Sequence, residues 1–222
     1  MKHYTPQHTQ QRTRHHAEQH AEHHIRQHTI RQEDKDSGNT ADSDFIDEKL
    51  FESRTIAVFG EINDRLARSV TERLLALSAA SDDPVSLYIS SPGGHVESGD
   101  VIYDMIKYVK AQVKVIGTGW VASAATTIYL AAAKENRYAL PNTRFLIHQP
   151  LGGSQGKATD IRIQAEQIVK VRERINNLIA TETGQPLERV AKDTDRDYWM
   201  TVEEAKEYGI VGKIIQSSAE VV

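Results

Sequence analysis

The chain has 222 residues, a formal net charge of −4 and no cysteine. That length suits one medium domain with a real core plus a tail, and the mildly acidic balance argues against a protein that works by neutralising nucleic-acid phosphates. Thiol chemistry, disulfides and Cys-ligated zinc are excluded outright.

The N-terminus reads MKHYTPQHTQQRTRHH and lacks the short apolar core of a secretory signal, so a cytoplasmic protein is expected. Residues 1–43 form a compositionally separate tail. Eight of the ten histidines lie between His3 and His28, and the polar run QEDKDSGNTADSD follows. Such a segment buries too little apolar surface to offset its ordering entropy, so it is expected to be disordered. His16, His20 and His24 would share one face if the region became helical, a spacing that could hold a transition metal. The plainer reading, a solvated extension without a metal, is the one adopted.

From Asp44 to the C-terminus (44–222) the pattern becomes one domain of alternating strands and helices. TIAVFG (55–60) is a β-branched apolar run ended by glycine, a buried strand. Asn63 can cap a helix in which Leu66, Val70, Leu74 and Leu77 recur at helical spacing. VSLYIS (85–90) is the next strand and SPGG a tight turn. The helix GDVIYDMIKYV follows, with Val101, Ile102, Met105, Ile106 and Val109 on one face. VKVIGTG (113–119) is a third strand, feeding a helix from about Ser123 to Ala133.

The run VIGTGWVASAATTIYLAAA is uncharged and nearly long enough to cross a bilayer, which takes ~20 residues. Its Gly, Ala, Ser and Thr contribute little transfer energy, so a strand and core helix of a soluble domain are expected, with no membrane span. RFLIHQP (144–150) is a further strand ending at a histidine. A long helix runs from Ala158 to Thr183, with Ile161, Ala165, Ile168, Ile175 and Ile179 facing one way, stopped by Gly184 and Pro186. Thr201 and Glu204 form a capping box for a short helix before Gly209, and GIVGKII is the last strand. Alternating βα units predict an α/β domain with a largely parallel sheet.

Candidate chemistry gathers at three places. Ser123 stands where a strand and a glycine-rich turn enter a helix, among the small residues Ala122, Ala124 and Ala125. Unpaired backbone N–H groups and the positive end of the helix dipole favour a developing anion there. SSPGGH (90–95) frees the backbone to aim N–H groups into a cleft, and without a following GK[ST] it is no phosphate-binding loop. Outside the tail only His95 and His148 could accept a serine proton. His148, where a strand end meets a loop, is the better placed, and His95 reads as rim. DTDRD offers Asp193, Asp195 and Asp197 to orient the imidazole, and spacing does not choose among them.

YISSPGGHVESGDVIYDMI, NTRFLIHQPLGGSQGKATDI and DTDRDYWMTVEEAKEYGIV together resemble the Clp protease proteolytic subunit (ClpP) family, from roughly Phe51 to Ile215. The resemblance implies a crotonase-like spiral of ββα units with a protruding handle helix from Ala158. It implies a serine peptidase with Ser123 as nucleophile, His148 as base and Asp197 as the orienting acid. The backbone amides of Gly94 and Ala124 match the oxyanion donors, and Arg196 matches an arginine at the contact between rings. It further implies heptameric rings stacked as a tetradecamer, polypeptide substrates, and an AAA+ unfoldase that consumes the ATP, leaving this chain without a cofactor. Ala124 and Ala125 stand where the family usually carries Met-Gly, and TADSDFIDEKLFESR lacks the family's usual N-terminal pattern. That altered N-terminus raises an alternative, an accessory subunit active only in a mixed ring with a second ClpP chain. A crotonase-type acyl-CoA enzyme is a third reading, opposed by the complete Ser-His-Asp set.

Overall fold

The computed structural model describes residues 40–153 and 155–221. The tail up to residue 39, with His16, His20 and His24, lies outside the described residues. The chain divides into two units, Met1–Lys49 and Leu50–Val222. Helix α1, Thr40–Glu52, opens the described part.

The second unit is an α/β domain whose elements follow the apolar pattern. Strand β1 (Thr55–Phe59) buries Ile56 and Val58, and Asn63 caps helix α2 (Asp64–Ala80) by accepting the Leu66 N–H. One face of α2, Ala67, Val70, Leu74 and Leu77, is buried. Strand β2 (Val85–Ser91) alternates buried and half-buried positions, as a strand inside a covered sheet does. Helix α3 (Val96–Tyr108), strand β3 (Val113–Ala122), helix α4 (Ala124–Tyr129) and strands β4 (Arg137–Ala139) and β5 (Arg144–Ile147) follow. Then come helix α5 (Ala158–Thr183), helix α6 (Leu187–Asp193), strand β6 (Tyr198–Met200), helix α7 (Val202–Tyr208) and strand β7 (Lys213–Ile214).

The sheet runs β1-β2-β3-β4-β7, all parallel. β3 forks: Val115–Gly117 pair with β4, whereas Trp120–Ala122 pair with β5, which continues antiparallel to β6. The fork falls at Gly119, whose φ of +61° suits glycine and turns the strand from one partner to the other. The end of β3, and Ser123 after it, are thereby carried onto the layer that bears His148 and Asp197.

Several local expectations need correction. α3 begins at Val96, three residues earlier than Gly99, and Val101 faces solvent at 46% exposure. Ser98 and Gly99 are buried instead, because α3 packs closely on α4. A Cβ on Gly99 would stand 3.2 Å from that of Ala124. The helix expected over 123–133 is only Ala124–Tyr129, and Ser123 itself is not helical. The last strand shrinks to Lys213–Ile214, since Ile210 and Val211 are buried by packing rather than by a ladder. β4 was not anticipated: it is three residues long and starts at an arginine. Among the described residues no helix is long and apolar enough to cross a membrane.

α5 ends as expected, with Gly184 left-handed at φ +78°. Its expected apolar face divides, however. Ile175 and Ile179 are buried in the core, while Ile161 is 41% exposed on a half that extends away from it.

Candidate active site

Ser123 sits at the junction of β3 and α4 with φ 58° and ψ −124°, a backbone conformation rare for a residue with a side chain. Its own N–H is held by the Leu146 carbonyl at 2.9 Å, and the Thr126 hydroxyl lies 2.8 and 2.9 Å from the carbonyls of Val121 and Leu146. Strand ends and helix start are pinned together around the serine, so the strained turn is over-determined and its Oγ is thrown forward. Sequence reading passed over Thr126, and no signal short of the fold marks it.

His148 follows β5 directly. Its Nε2 stands 2.8 Å from Ser123 Oγ, and its Nδ1 stands 2.9 Å from Asp197 Oδ1. A carboxylate only accepts, so Asp197 fixes the proton on Nδ1 and leaves Nε2 to accept from the serine hydroxyl. The His148 side chain is 15% exposed and that of Asp197 65%. The other two aspartates of DTDRD are engaged elsewhere. Asp193 accepts from Tyr208 OH at 3.1 Å, and Asp195 pairs with Arg172 at 3.3 Å. Gln149 holds the two segments in register: its N–H donates to the Thr194 carbonyl and its side chain to the Asp195 carbonyl. Arg196 is exposed, its guanidinium 3.5 Å from the Asp195 carbonyl.

The SPGG turn lies against this group. Ile62 donates to the Gly93 carbonyl and accepts from His95 N–H, each at 2.8 Å, so alternation turns the Gly94 N–H away from Ile62. Both glycines are demanded by space. A Cβ on Gly93 would fall 2.6 Å from Ser123 Cβ, and one on Gly94 2.2 Å from the Ile62 carbonyl. Ala124, first residue of α4, offers the second N–H beside the serine. His95 lies at the N-terminus of α3, 54% exposed, with Nδ1 2.8 Å from Ser98 Oγ and Nε2 3.1 Å from Glu97. The Ser98 hydroxyl also holds the Asp64 carboxyl below its usual range. His95 therefore belongs to the rim, apart from Ser123.

Beside Ser123 and His148 a cavity opens, walled by Val96, Ala124, Ile147, Pro150, Ile175 and Ile179. One acidic residue also lines it, Asp100, gripped by Arg174 through two bonds, Nη1 to Oδ1 at 2.8 Å and Nη2 to Oδ2. Neither residue was singled out from the sequence, where they stand as one helix-surface charge each, far apart in the chain.

The β3–α4 turn, the histidine after a strand and the aligned carboxylate define an α/β protein with a site of the serine-hydrolase type. The Clp protease family matches residues 37–218, and the chain belongs to that family. It is 58% identical over 172 residues to the ATP-dependent Clp protease proteolytic subunit 3 of Rhizobium etli, covering 78% of this chain and 89% of that protein. It is 55% identical over 192 residues to proteolytic subunit 2 of Gluconobacter oxydans, covering 86% of each. Among solved structures, ClpP1 from Listeria monocytogenes superposes with a TM-score of 0.73 at 53% identity, over 80% of this chain and 99% of that one. The fold is the ClpP fold, as the sequence resemblance implied.

Proposed function

We propose that this chain is the proteolytic subunit of an ATP-dependent Clp protease, a serine endopeptidase that cuts unfolded polypeptides. Ser123 is its nucleophile, His148 its base and Asp197 the acid that orients the imidazole. The observation that carries this reading is the relay Ser123–His148–Asp197, with links of 2.8 and 2.9 Å.

Ser123 Oγ attacks the scissile carbonyl carbon as its proton passes to His148 Nε2. The amides of Gly94 and Ala124 hold the developing oxyanion, each such donor typically worth ~3 kcal/mol. His148 then returns the proton to the leaving amine as the C–N bond breaks. Water, activated by the same nitrogen, hydrolyses the acyl-serine and restores the hydroxyl. Nucleophile, base and donors all come from the chain, and ATP is spent by the partner. In this reading the working form is a pair of heptameric rings stacked as a tetradecamer in the cytoplasm. An AAA+ unfoldase feeds it, and Arg196 and α5 lie at the contact between rings.

Ser123→Ala is expected to lower kcat on a fluorogenic peptide by roughly five to six orders of magnitude. It should also abolish labelling by a fluorophosphonate probe, with the elution volume on size exclusion unchanged. Near-normal turnover by the variant would remove Ser123 as the nucleophile.

A second reading is motivated by the segment TADSDFIDEKLFESR, which lacks the family's usual N-terminal pattern. In it this chain is active only in a mixed ring with a second ClpP chain. Peptidase activity of the purified chain, measured alone and then with a sister subunit, separates the two: robust activity alone rejects the mixed-ring requirement.

A further inference from the structure

The turn that carries the Gly94 amide is built from two glycines, Gly93 at φ +93° and Gly94 at φ +149°. Space demands glycine at both positions, and the same backbone freedom lets such a turn wander unless something holds it. The backbone holds it once, through the two bonds to Ile62 on either side of Gly94. Side chains hold the same two segments a second time. Asp64, two residues beyond Ile62, accepts from the hydroxyl of the buried Ser98. Ser98 has then given its one proton away, so its oxygen accepts from His95 Nδ1, 2.8 Å distant. His95 Nδ1 also stands 3.3 Å from the Asp64 carboxylate oxygen. A ring thus closes from Ile62 to Asp64, the first residue of α2, and back through Ser98 and His95 at the start of α3. The imidazole caps none of the N–H groups of α3. Glu97 faces its other nitrogen at 3.1 Å, but Glu97 stands on α3 itself and ties nothing across to α2.

On the reading of Ser123 as nucleophile and Gly94 as oxyanion donor, we propose that His95 is a positioning residue. Through Ser98 and Asp64 it locks the SPGG turn to the start of α2 and so fixes the Gly94 amide where the oxyanion forms. His95 touches no reacting atom and acts only through that amide. The physical reason is tolerance. An oxyanion donor works only where the charge develops, and an error near 1 Å costs on the order of a hundredfold in rate. A glycine pair does not supply that precision by itself. Losing one donor outright costs about a hundredfold to a thousandfold, so loosening it while the Ile62 bonds remain should cost less. Asp64 is exposed, so the link adds little to the stability of the whole domain.

The test is steady-state cleavage of a fluorogenic peptide by the full chain, beside a melting curve. His95→Ala is expected to lower kcat roughly tenfold with KM changed by less than about twofold, the mark of an interaction made only in the transition state. The melting curve should scarcely move. His95→Asn, whose amide N–H can stand in for Nδ1–H, should recover most of the rate. Ser98→Ala should match His95→Ala, and the double variant should be no slower than either alone, since both break one chain of bonds. A roughly hundredfold loss in the double variant means independent effects and overturns the proposal. So does an unchanged kcat in His95→Ala, or a loss of rate that tracks an early melt. Fluorophosphonate labelling of the wild type separates this outcome from failure of the underlying reading, because a chain that neither labels nor cuts counts against Ser123. Hydrogen exchange across residues 90–97, read by mass spectrometry, then carries the test. Exchange roughly tenfold faster in His95→Ala than in wild type or His95→Asn supports the lock, and equal exchange in all three overturns it.

Discussion

The corner around Ser123 and the first half of α5 are both rich in small or apolar residues, yet they are held in opposite ways. Ala122, Ala124, Ala125 and Thr126 are buried, and the chain itself fixes each approach: Gly93 against Ser123, Gly99 against Ala124, Thr126 between two strand ends. On α5, Ile161, Ile163 and Val169 are exposed at 41%, 45% and 53%. The first region is complete within one chain. The second displays apolar surface that its own domain does not cover, and such surface marks an interaction site when it is contiguous. The chain thus over-determines the geometry around Ser123 and leaves an apolar face of α5 open.

The comparison is broken most sharply at the one exposed member of the relay. The Asp197 side chain is 65% exposed, and its carboxylate meets His148 Nδ1 at 2.9 Å. Asp197→Asn should leave the thermal midpoint nearly unchanged while lowering kcat by about ten-thousandfold, the cost of presenting the wrong imidazole tautomer to the serine. Steady-state peptidase assays beside a melting curve check this. A parallel loss of stability would mean that the corner is not self-sufficient.

A second, smaller effect probes where the inner half of α5 is anchored. Arg137, 1% exposed, donates to the carbonyls of Leu130, Ala132 and Glu182 and pairs with the Glu182 carboxylate. It thereby ties the end of α4 to the end of α5. Burial raises the Glu182 pKa, but Lys107, the Tyr103 hydroxyl and Arg137 outweigh it and leave that carboxyl below its usual range. Burial and the same carboxylate push the Tyr103 phenol up to about 12, so it remains a donor. A depressed carboxyl pKa stabilises the fold above the unfolded value, about 4.3, and that stability is lost as pH falls through the lower folded value. Glu182→Gln should therefore cost about 2 kcal/mol near neutral pH. That is less than for a bare buried charge, because Arg137 keeps its carbonyl partners. Denaturant melts from pH 7 to pH 3 should show the gap between wild type and variant closing below about pH 4. A gap constant with pH would assign the loss to packing rather than to ionisation.

What was legible in the sequence follows the same division. Periodicity located α2 and α5, and cap chemistry located the start of α2, the end of α5 and the start of α7, because Asn63, Gly184 and the Thr201–Glu204 box act over a few residues. Ser123 and His148 could be nominated from strand-to-loop transitions, whereas the choice of Asp197 over Asp193 and Asp195 needed the resemblance, since three aspartates two residues apart look alike. The short α4 was misread because a left-handed serine and a glycine-turned strand leave no trace in apolar spacing. The Asp100–Arg174 pair was invisible for a related reason: its members are 74 residues apart and meet only in the fold.

α5 gives the sharpest lesson about spacing. Ile161, Ala165, Ile168, Ile175 and Ile179 satisfy one helical stripe, yet only the last two are buried in this domain. A stripe records that a face is to be covered and says nothing about what covers it. If a second copy of the chain covers it, replacing Ile161 and Ile163 together by serine should change the stability of the isolated subunit by no more than about 0.5 kcal/mol per site, as at other exposed positions. The same variant should shift the size-exclusion peak from the large assembly toward smaller species. It should lose peptidase activity in proportion to the assembly lost, and higher protein concentration should restore both by mass action. A variant that melts early as a single subunit would show that the outer half of α5 belongs to the core after all, and the contrast with the Ser123 corner would fail.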